Sequence, residues 1–414
     1  MSLLRDMPYP APHELALAAR AMADEYPGRA RLRQVGQSRG GRPLWVLSVA
    51  GRRGGGEVLV VAGAHANEPV GGATVLELAR RVCGTRGDGT GWHFLLCADP
   101  DGAELHRTPR PHSLLDYHRH FYRPPGPEQP EWAPSWLPPD RLPPETAALT
   151  GLIDELRPVL QVSLHGTDLG GSWVQLTRDL PGLAEPFGKS AAELRIPVET
   201  GASDAAGWAS PGPGIFVMPE AGAGAGHAED TRLSTWCHRE TTTAIVEVPM
   251  WASLLVGDPA PHPDPPGALR ALAGRLTGEA ARVAELREGV GADGPDGAAL
   301  LRAVDWTLLL IPQVTAGWTG PGAVPVTPPA GTTAALASLD AFGRRLPLRA
   351  AAMLLRVARA QGHPSAQGLD RLVTGWCEEF SSRFRARRLP LATQVEHQCR
   401  VVLAARRCLR AGGA

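Results

Sequence analysis

Residues 57–68, Glu-Val-Leu-Val-Val-Ala-Gly-Ala-His-Ala-Asn-Glu, constrain this chain more than any other stretch. Val58 to Ala62 form an unbroken apolar run, which suits a strand covered on both faces rather than one with a wet side. Gly63 breaks the run. Val70, Ala73, Thr74, Leu76, Leu78 and Ala79 then recur at helical spacing and predict a helix to about Val82. His65 and Glu68 therefore fall in a turn between the carboxyl end of a buried strand and a helix, where open α/β sheets form their ligand crevice. An imidazole nitrogen and a carboxylate oxygen both suit zinc, and a catalytic zinc needs a third protein ligand and an open position. Alone, His-x-x-Glu also arises by chance, as a solvated loop histidine beside an unrelated glutamate. The rest of the chain has to decide.

Two further strands carry candidate partners. Val159 to Leu164 is apolar and runs into His165, a third candidate ligand at a strand end. Thr241 to Trp251 is a β-branched strand with Glu247 inside it. A carboxylate buried there is costly unless it is paired or does chemistry, so Glu247 is either a catalytic group or half of a structural ion pair with an arginine. Around these lie an opening helix over 12–25 and strands over Arg31 to Gln37 and Leu44 to Ala50, separated by a glycine-rich turn. The run from Trp92 to Ala98 ends in Asp99-Pro-Asp-Gly102. Residues 103–144 are irregular and proline-dense, which predicts a long ordered loop. A helix opens at Pro144-Glu145-Thr146, a short strand covers Trp173 to Leu176, a helix covers 183–194, and 201–229 reads as loop.

The chain has 414 residues, enough for one large domain and a smaller one. A proline-rich linker, 257–267, precedes a helix ending near Leu286. Residues 296–311, 332–345, 349–361, 367–387 and 390–410 repeat at helical spacing. The expected division is a catalytic domain over 1–290 and a helical domain over 291–414. Charge is balanced, 42 basic against 42 acidic residues, which argues against nucleic acid or an acidic membrane surface as partner. Small molecules or peptides fit better, with a protein partner or self-association open to 291–414. The six cysteines have no C-x-x-C pair and read as buried free thiols. There is no secretory pattern at the N-terminus and no run near ~18 apolar residues, so a cytoplasmic protein is expected.

Together, His65, Glu68, His165 and Glu247 make a two-histidine, one-carboxylate metal set with a spare carboxylate. In this the chain resembles the zinc carboxypeptidase family, over roughly residues 10 to 255. Val35-Gly-Gln-Ser38-Arg-Gly-Gly-Arg42-Pro43 looks like the family's early G-x-S-x-x-G-R-P segment, and Asp99-Pro-Asp-Gly102 like its Asn-Pro-Asp-Gly turn. Asp116-Tyr-His118-Arg119-His120-Phe121 looks like Asp-Leu-Asn-Arg-Asn-Phe, and Pro144-Glu-Thr146 like its Pro-Glu-Thr.

The resemblance implies a mixed, twisted α/β sheet with helices on both faces, the C-terminal helical domain being extra. It implies Zn2+ held by His65, Glu68 and His165, with Glu247 as general base. Arg107, or alternatively Arg110, would polarise the scissile carbonyl. Arg119 would bind a substrate carboxylate, with His118 in place of the family's asparagine. The family's tyrosine upstream of the base is missing, and His227 stands in that loop as a proton donor or a solvated residue. The implied activity is removal of a C-terminal residue from a small peptide or peptide-like metabolite. A zinc amidase or deacylase of the aspartoacylase type, or a non-catalytic binding protein on the same fold, are the alternatives.

Overall fold

A computed structural model describes residues 8–412 apart from 53, 86–88, 108–110, 222–227 and 320–330; Arg110 and His227 lie outside the described residues. The strands are β1 (Ala30–Gln37), β2 (Pro43–Val49), β3 (Glu57–Val61), β4 (Gly91–Leu95), β5 (Leu160–Gly170), β6 (Trp173–Leu176), β7 (Ala209–Gly212), β8 (Ile215–Val217), β9 (Thr242–Ala252) and β10 (Arg387–Arg388). The helices are α1 (Pro12–Glu25), α2 (Val70–Gly84), α3 (Pro100–Leu105), α4 (Leu114–Arg119), α5 (Pro144–Leu156), α6 (Ala184–Leu194), α7 (Ala228–Leu233), α8 (Pro265–Arg287), α9 (Gly297–Thr319), α10 (Thr333–Ala360), α11 (Ser365–Phe384) and α12 (Leu391–Gly412).

The strands form one mixed sheet in the order β1-β2-β4-β3-β5-β9-β6-β8-β7, with β10 on β9. Its centre, β4-β3-β5-β9, is parallel. Alternation along β3 shows why the apolar run is unbroken. Val58 and Val60 enter a core shared with α1, α2 and α12, whereas Leu59 and Val61 enter a second one under Leu149, Leu152 and Ile153 of α5. Each such side chain contributes about 1.5–3 kcal/mol by burial. Gly63 ends the strand at φ 62°, and a Cβ there would lie 2.8 Å from Cys97 Sγ.

The region after residue 290 is not packed as a separate domain. Helix α12 lies on α2, α6 and β9, and its Val395, Cys399, Val401 and Val402 belong to the same core as β3 and β5. Gln398 Nε2 donates to the carbonyls of His165 (2.7 Å) and Val246 (3.2 Å). His397 is fully buried between Ser172 and Ser190 at 2.8 and 2.9 Å. A break was expected at residue 290 because helical spacing shows that a face is apolar without showing which surface covers it.

Other elements also differ from expectation. The two helices read over 332–345 and 349–361 are one, α10, running through Pro347. Proline removes one helical hydrogen bond and crowds the carbonyl of Gly343. Burial of α10 on both sides of it, from Ala334 to Ala358, outweighs that cost. The loop over 201–229 contains β7 and β8, which are too short to show a period of their own. Helix α9 is, by length and composition alone, apolar enough to cross a membrane; a third of its most apolar stretch is buried, and it packs on α8 and α10.

Candidate metal centre

Two parallel strands bring the candidate ligands together. His65 and Glu68 leave the end of β3, His165 lies in β5, and Glu247 stands opposite His165 in β9. All four are buried. The ligand atoms of His65, Glu68 and His165 lie within 4.8 Å of one another. His165 Nδ1 is 3.1 Å from His65 Nδ1 and 2.8 Å from Glu68 Oε2, and His65 Nδ1 is 3.0 Å from Glu68 Oε1. The turn is held from below by Tyr117, whose hydroxyl donates to the Asn67 carbonyl (2.9 Å) and accepts from Asn67 Nδ2 (3.2 Å).

The donor chemistry fits zinc. Nε2 of His165 faces Glu131 Oε2 at 3.0 Å and Ser163 Oγ at 2.8 Å, and Ser163 itself donates to Glu131. Nε2 therefore carries a proton, and Nδ1, 2.8 Å from Glu68 Oε2, is the nitrogen that would ligate a metal in place of its own proton. Two imidazoles and one carboxylate are a catalytic zinc set with a position to spare. Arg123 adds a cation: NH1 is 3.1 Å from Glu68 Oε1, and NH2 is 3.0 Å from His65 Nε2 and 3.2 Å from Gln129 Oε1. Its contact with Nε2 belongs to the tautomer in which His65 Nδ1 holds the proton. A metal on Nδ1 requires the other tautomer, with Arg123 kept by Glu68 and Gln129.

The two acids are driven apart. Burial disfavours charge on Glu68, but His65 and His165 hold it well below the usual carboxylate range. Burial, with the charge of Glu68 nearby, pushes Glu247 well above that range. Oε1 of Glu247 is 3.9 Å from His165 Nδ1, and its buried Oε2 has no hydrogen-bond partner. Such a carboxyl is suited to taking and releasing a proton.

The other sequence candidates lie elsewhere. Arg107 is three-quarters exposed and bonds Glu104, its Nε donating to the Glu104 carbonyl at 2.7 Å. Arg119 pairs with Asp370 of α11 at 3.2 Å. His118 is fully buried, donating from Nδ1 to the Leu114 carbonyl and facing Asp168 from Nε2 at 3.4 Å. Burial works against its charge, yet Cys377 and Asp168 raise it to about 9. The cause is local: 114–119 form a helix, so residues 118 and 119 follow its faces rather than an extended run beside the ligands.

The remaining motifs brace one another. Asp101 accepts from Ser38 Oγ (2.8 Å), the Gly40 amide (2.7 Å) and Arg42 (2.7 Å), while Glu145 accepts from the Arg39 amide (2.8 Å). These residues tie the β1–β2 turn to α3 and α5. Residues that the sequence reading missed are Arg123, Gln129 and Glu131, which lie in the proline-dense loop without a spacing that would mark them. The density of charge between prolines was the available signal.

The fold and the site thus define an α/β protein with a His-Glu-His metal set at the ends of parallel strands. Residues 17–172 match the zinc carboxypeptidase family model, and that segment holds all three candidate ligands but not Glu247. That segment is similar to zinc carboxypeptidases. An alignment 100 residues long, spanning 21% of this chain, is 35% identical to carboxypeptidase D of Drosophila melanogaster, of which it covers 7%. Among solved structures, a metallo-carboxypeptidase from Burkholderia cenocepacia is 19% identical, with 57% of this chain and 60% of that one covered and a TM-score of 0.37. Bovine thrombin-activatable fibrinolysis inhibitor, in complex with tick carboxypeptidase inhibitor, is 16% identical, with 45% and 70% covered and a TM-score of 0.31.

Proposed function

We infer that this chain is a zinc-dependent metallo-carboxypeptidase that hydrolyses a C-terminal amide bond of a small peptide or peptide-like metabolite. The observation that carries the reading is the convergence of His65, Glu68 and His165 with an unpartnered Glu247 carboxyl beside them. His65, Glu68 and His165 would hold the zinc, which would supply Lewis acidity to the reaction. Glu247 takes a proton from the attacking water and delivers it to the leaving nitrogen, so the amine departs neutral. Arg123, rather than Arg107, is the cation at hand for the charge that develops on the carbonyl oxygen.

Metal analysis and a peptide screen test this. About one zinc per chain is expected, with hydrolysis of at least one peptide class. Glu247→Gln should keep the zinc and lose about 10²–10⁴ in kcat. Turnover unchanged in Glu247→Gln would remove the general base from the scheme and favour a role in binding. The amidase reading gains from one fact: neither Arg119 nor His118 is beside the ligands. Substrates with free and with amidated C-termini separate the two. A cytoplasmic location goes with the reading and is tested by fractionation.

A further inference from the structure

The carboxypeptidase reading leaves a free substrate carboxylate without a partner, because Arg119 is engaged with Asp370. Helix α10, outside the family-matched segment, offers one. Its Arg345 and Arg349 both reach into the sheet at Thr167-Asp168-Leu169, the stretch of β5 that directly follows His165. Arg345 NH1 donates to Thr167 Oγ1 at 2.8 Å, NH2 to the Leu169 carbonyl at 3.2 Å, and Nε lies 3.1 Å from Asp168 Oδ1. Arg349 NH2 lies 3.2 Å from Asp168 Oδ2, and its guanidinium sits on the face of Phe121 at 4.7 Å.

Within ion-pair distance Asp168 is the one described carboxylate for both arginines, while Glu199, Asp204 and Glu247 act on Arg345 from farther away. Asp168 is fully buried and meets Arg345, Arg349 and His118 together. Both arginine side chains are about seven-eighths buried, and Nε of Arg349 is buried without a partner. Arg345 keeps one N–H on each terminal nitrogen beyond its described bonds, and Arg349 keeps more. A guanidinium out of water in this state favours a second anion, and the planar fork suits a carboxylate. Arg345 is also close enough to Glu247 for each charge to act on the other.

Distance along the strand selects the anion. His165 and Thr167 point to the same face, and two residues of strand span about 7 Å. One amino-acid residue separates a scissile carbonyl from the terminal carboxylate, a comparable reach. We propose that Arg345 and Arg349 of α10 form the site that holds the substrate's terminal carboxylate, with Asp168 fixing both guanidiniums, so that substrates are limited to chains ending one residue beyond the cleaved bond. This rests on the hydrolase reading for its meaning, but its test does not need turnover.

The test is binding to the zinc-loaded full chain of a panel of N-acetyl amino acids and of their amides, followed by calorimetry. Wild type should bind the best acid roughly 10- to 100-fold more tightly than its amide, the range of one charge-assisted pair. Arg345→Met with Arg349→Met should bring that ratio close to one with zinc content unchanged. Arg119→Met should leave it as in wild type. If the double variant loses zinc or its helical signal, Arg345→Lys and Arg349→Lys replace it and should lower the ratio by keeping charge without the fork. An unchanged ratio in the folded arginine variants, a collapse in Arg119→Met, or equal binding of acid and amide by wild type would each overturn the assignment. Failure of the hydrolase reading shows separately, as acid preference without cleavage of any peptide.

Discussion

Glu131 determines which nitrogen of His165 is free for a metal. Its carboxylate is fully buried, takes the Nε2 proton on one oxygen and the Ser163 hydroxyl on the other, and so orients the ring as well as its tautomer. Glu131→Gln keeps the volume but offers a weaker acceptor, and an amide N–H turned toward Nε2 would favour the wrong tautomer. Zinc affinity should fall about 10- to 100-fold, as read by competition with a chromophoric chelator. An affinity equal to wild type would show that Ser163 suffices. Arg123, from the same loop, touches Glu68 and His65 and is itself held by Gln129, so one proline-dense segment shapes the ligand set.

Helix α12 is docked through polar contacts inside an apolar interface, which makes its attachment sensitive to acid. Ser172 donates to the Glu247 carbonyl, so His397 Nε2 donates to Ser172, and Nδ1 lies 2.9 Å from Ser190 Oγ, which serves the neutral ring as donor. Burial, with Arg400 adding to it, lowers the ring to about 3 from an ordinary 6.5. Above pH 6.5 neither folded nor unfolded chain carries this proton, and the stabilisation is complete. Between about 6.5 and 3 the unfolded chain takes a proton that the native state refuses, so stability falls by about 1.4 kcal/mol for each pH unit. Urea midpoints at pH 7, 6 and 5 for wild type and His397→Gln should therefore converge as pH falls. Parallel curves would mean that another group carries the acid sensitivity. A second element-scale expectation concerns Gly63→Ala, which places a Cβ 2.8 Å from Cys97 Sγ in a left-handed conformation. It should cost at least about 1 kcal/mol in thermal or urea unfolding.

At the scale of the whole molecule, the helices after Glu247 hold the site in place. Arg356 of α10 donates to the carbonyls of His120 and Phe121, just before Arg123. Arg302 of α9 pairs with Glu128, and Trp306 of α9 packs edge-on against Trp136, both in the loop that carries Gln129 and Glu131. Ser338 donates to buried Glu199, tying the start of α10 to the strand-end loops. A chain ending at residue 290 would lose these contacts and expose the core side of β3, β5 and α2 that α12 covers. That fragment should fail to unfold cooperatively and should not hold zinc, by denaturation and metal analysis. A folded, zinc-binding fragment would restore the two-domain division.

The sequence alone determined the strand that ends at His65 and Glu68, the strand that delivers His165, the strand containing Glu247, and the metal that such donors suit. Apolar runs, glycine breaks and donor types are local, and local order survives reading one residue after another. The tertiary structure decided which charges sit beside those ligands. Arg123 and Glu131 were hidden because a proline-dense loop has no period. Arg119 and His118 follow a helix that turns them to Asp370 and Asp168. Arg345 and Arg349 lie 180 and 184 residues after His165 and become its neighbours only when α10 packs on β5. A helical pattern reports an apolar face and leaves its partner open; the partner is set by the surfaces left uncovered once the sheet has formed.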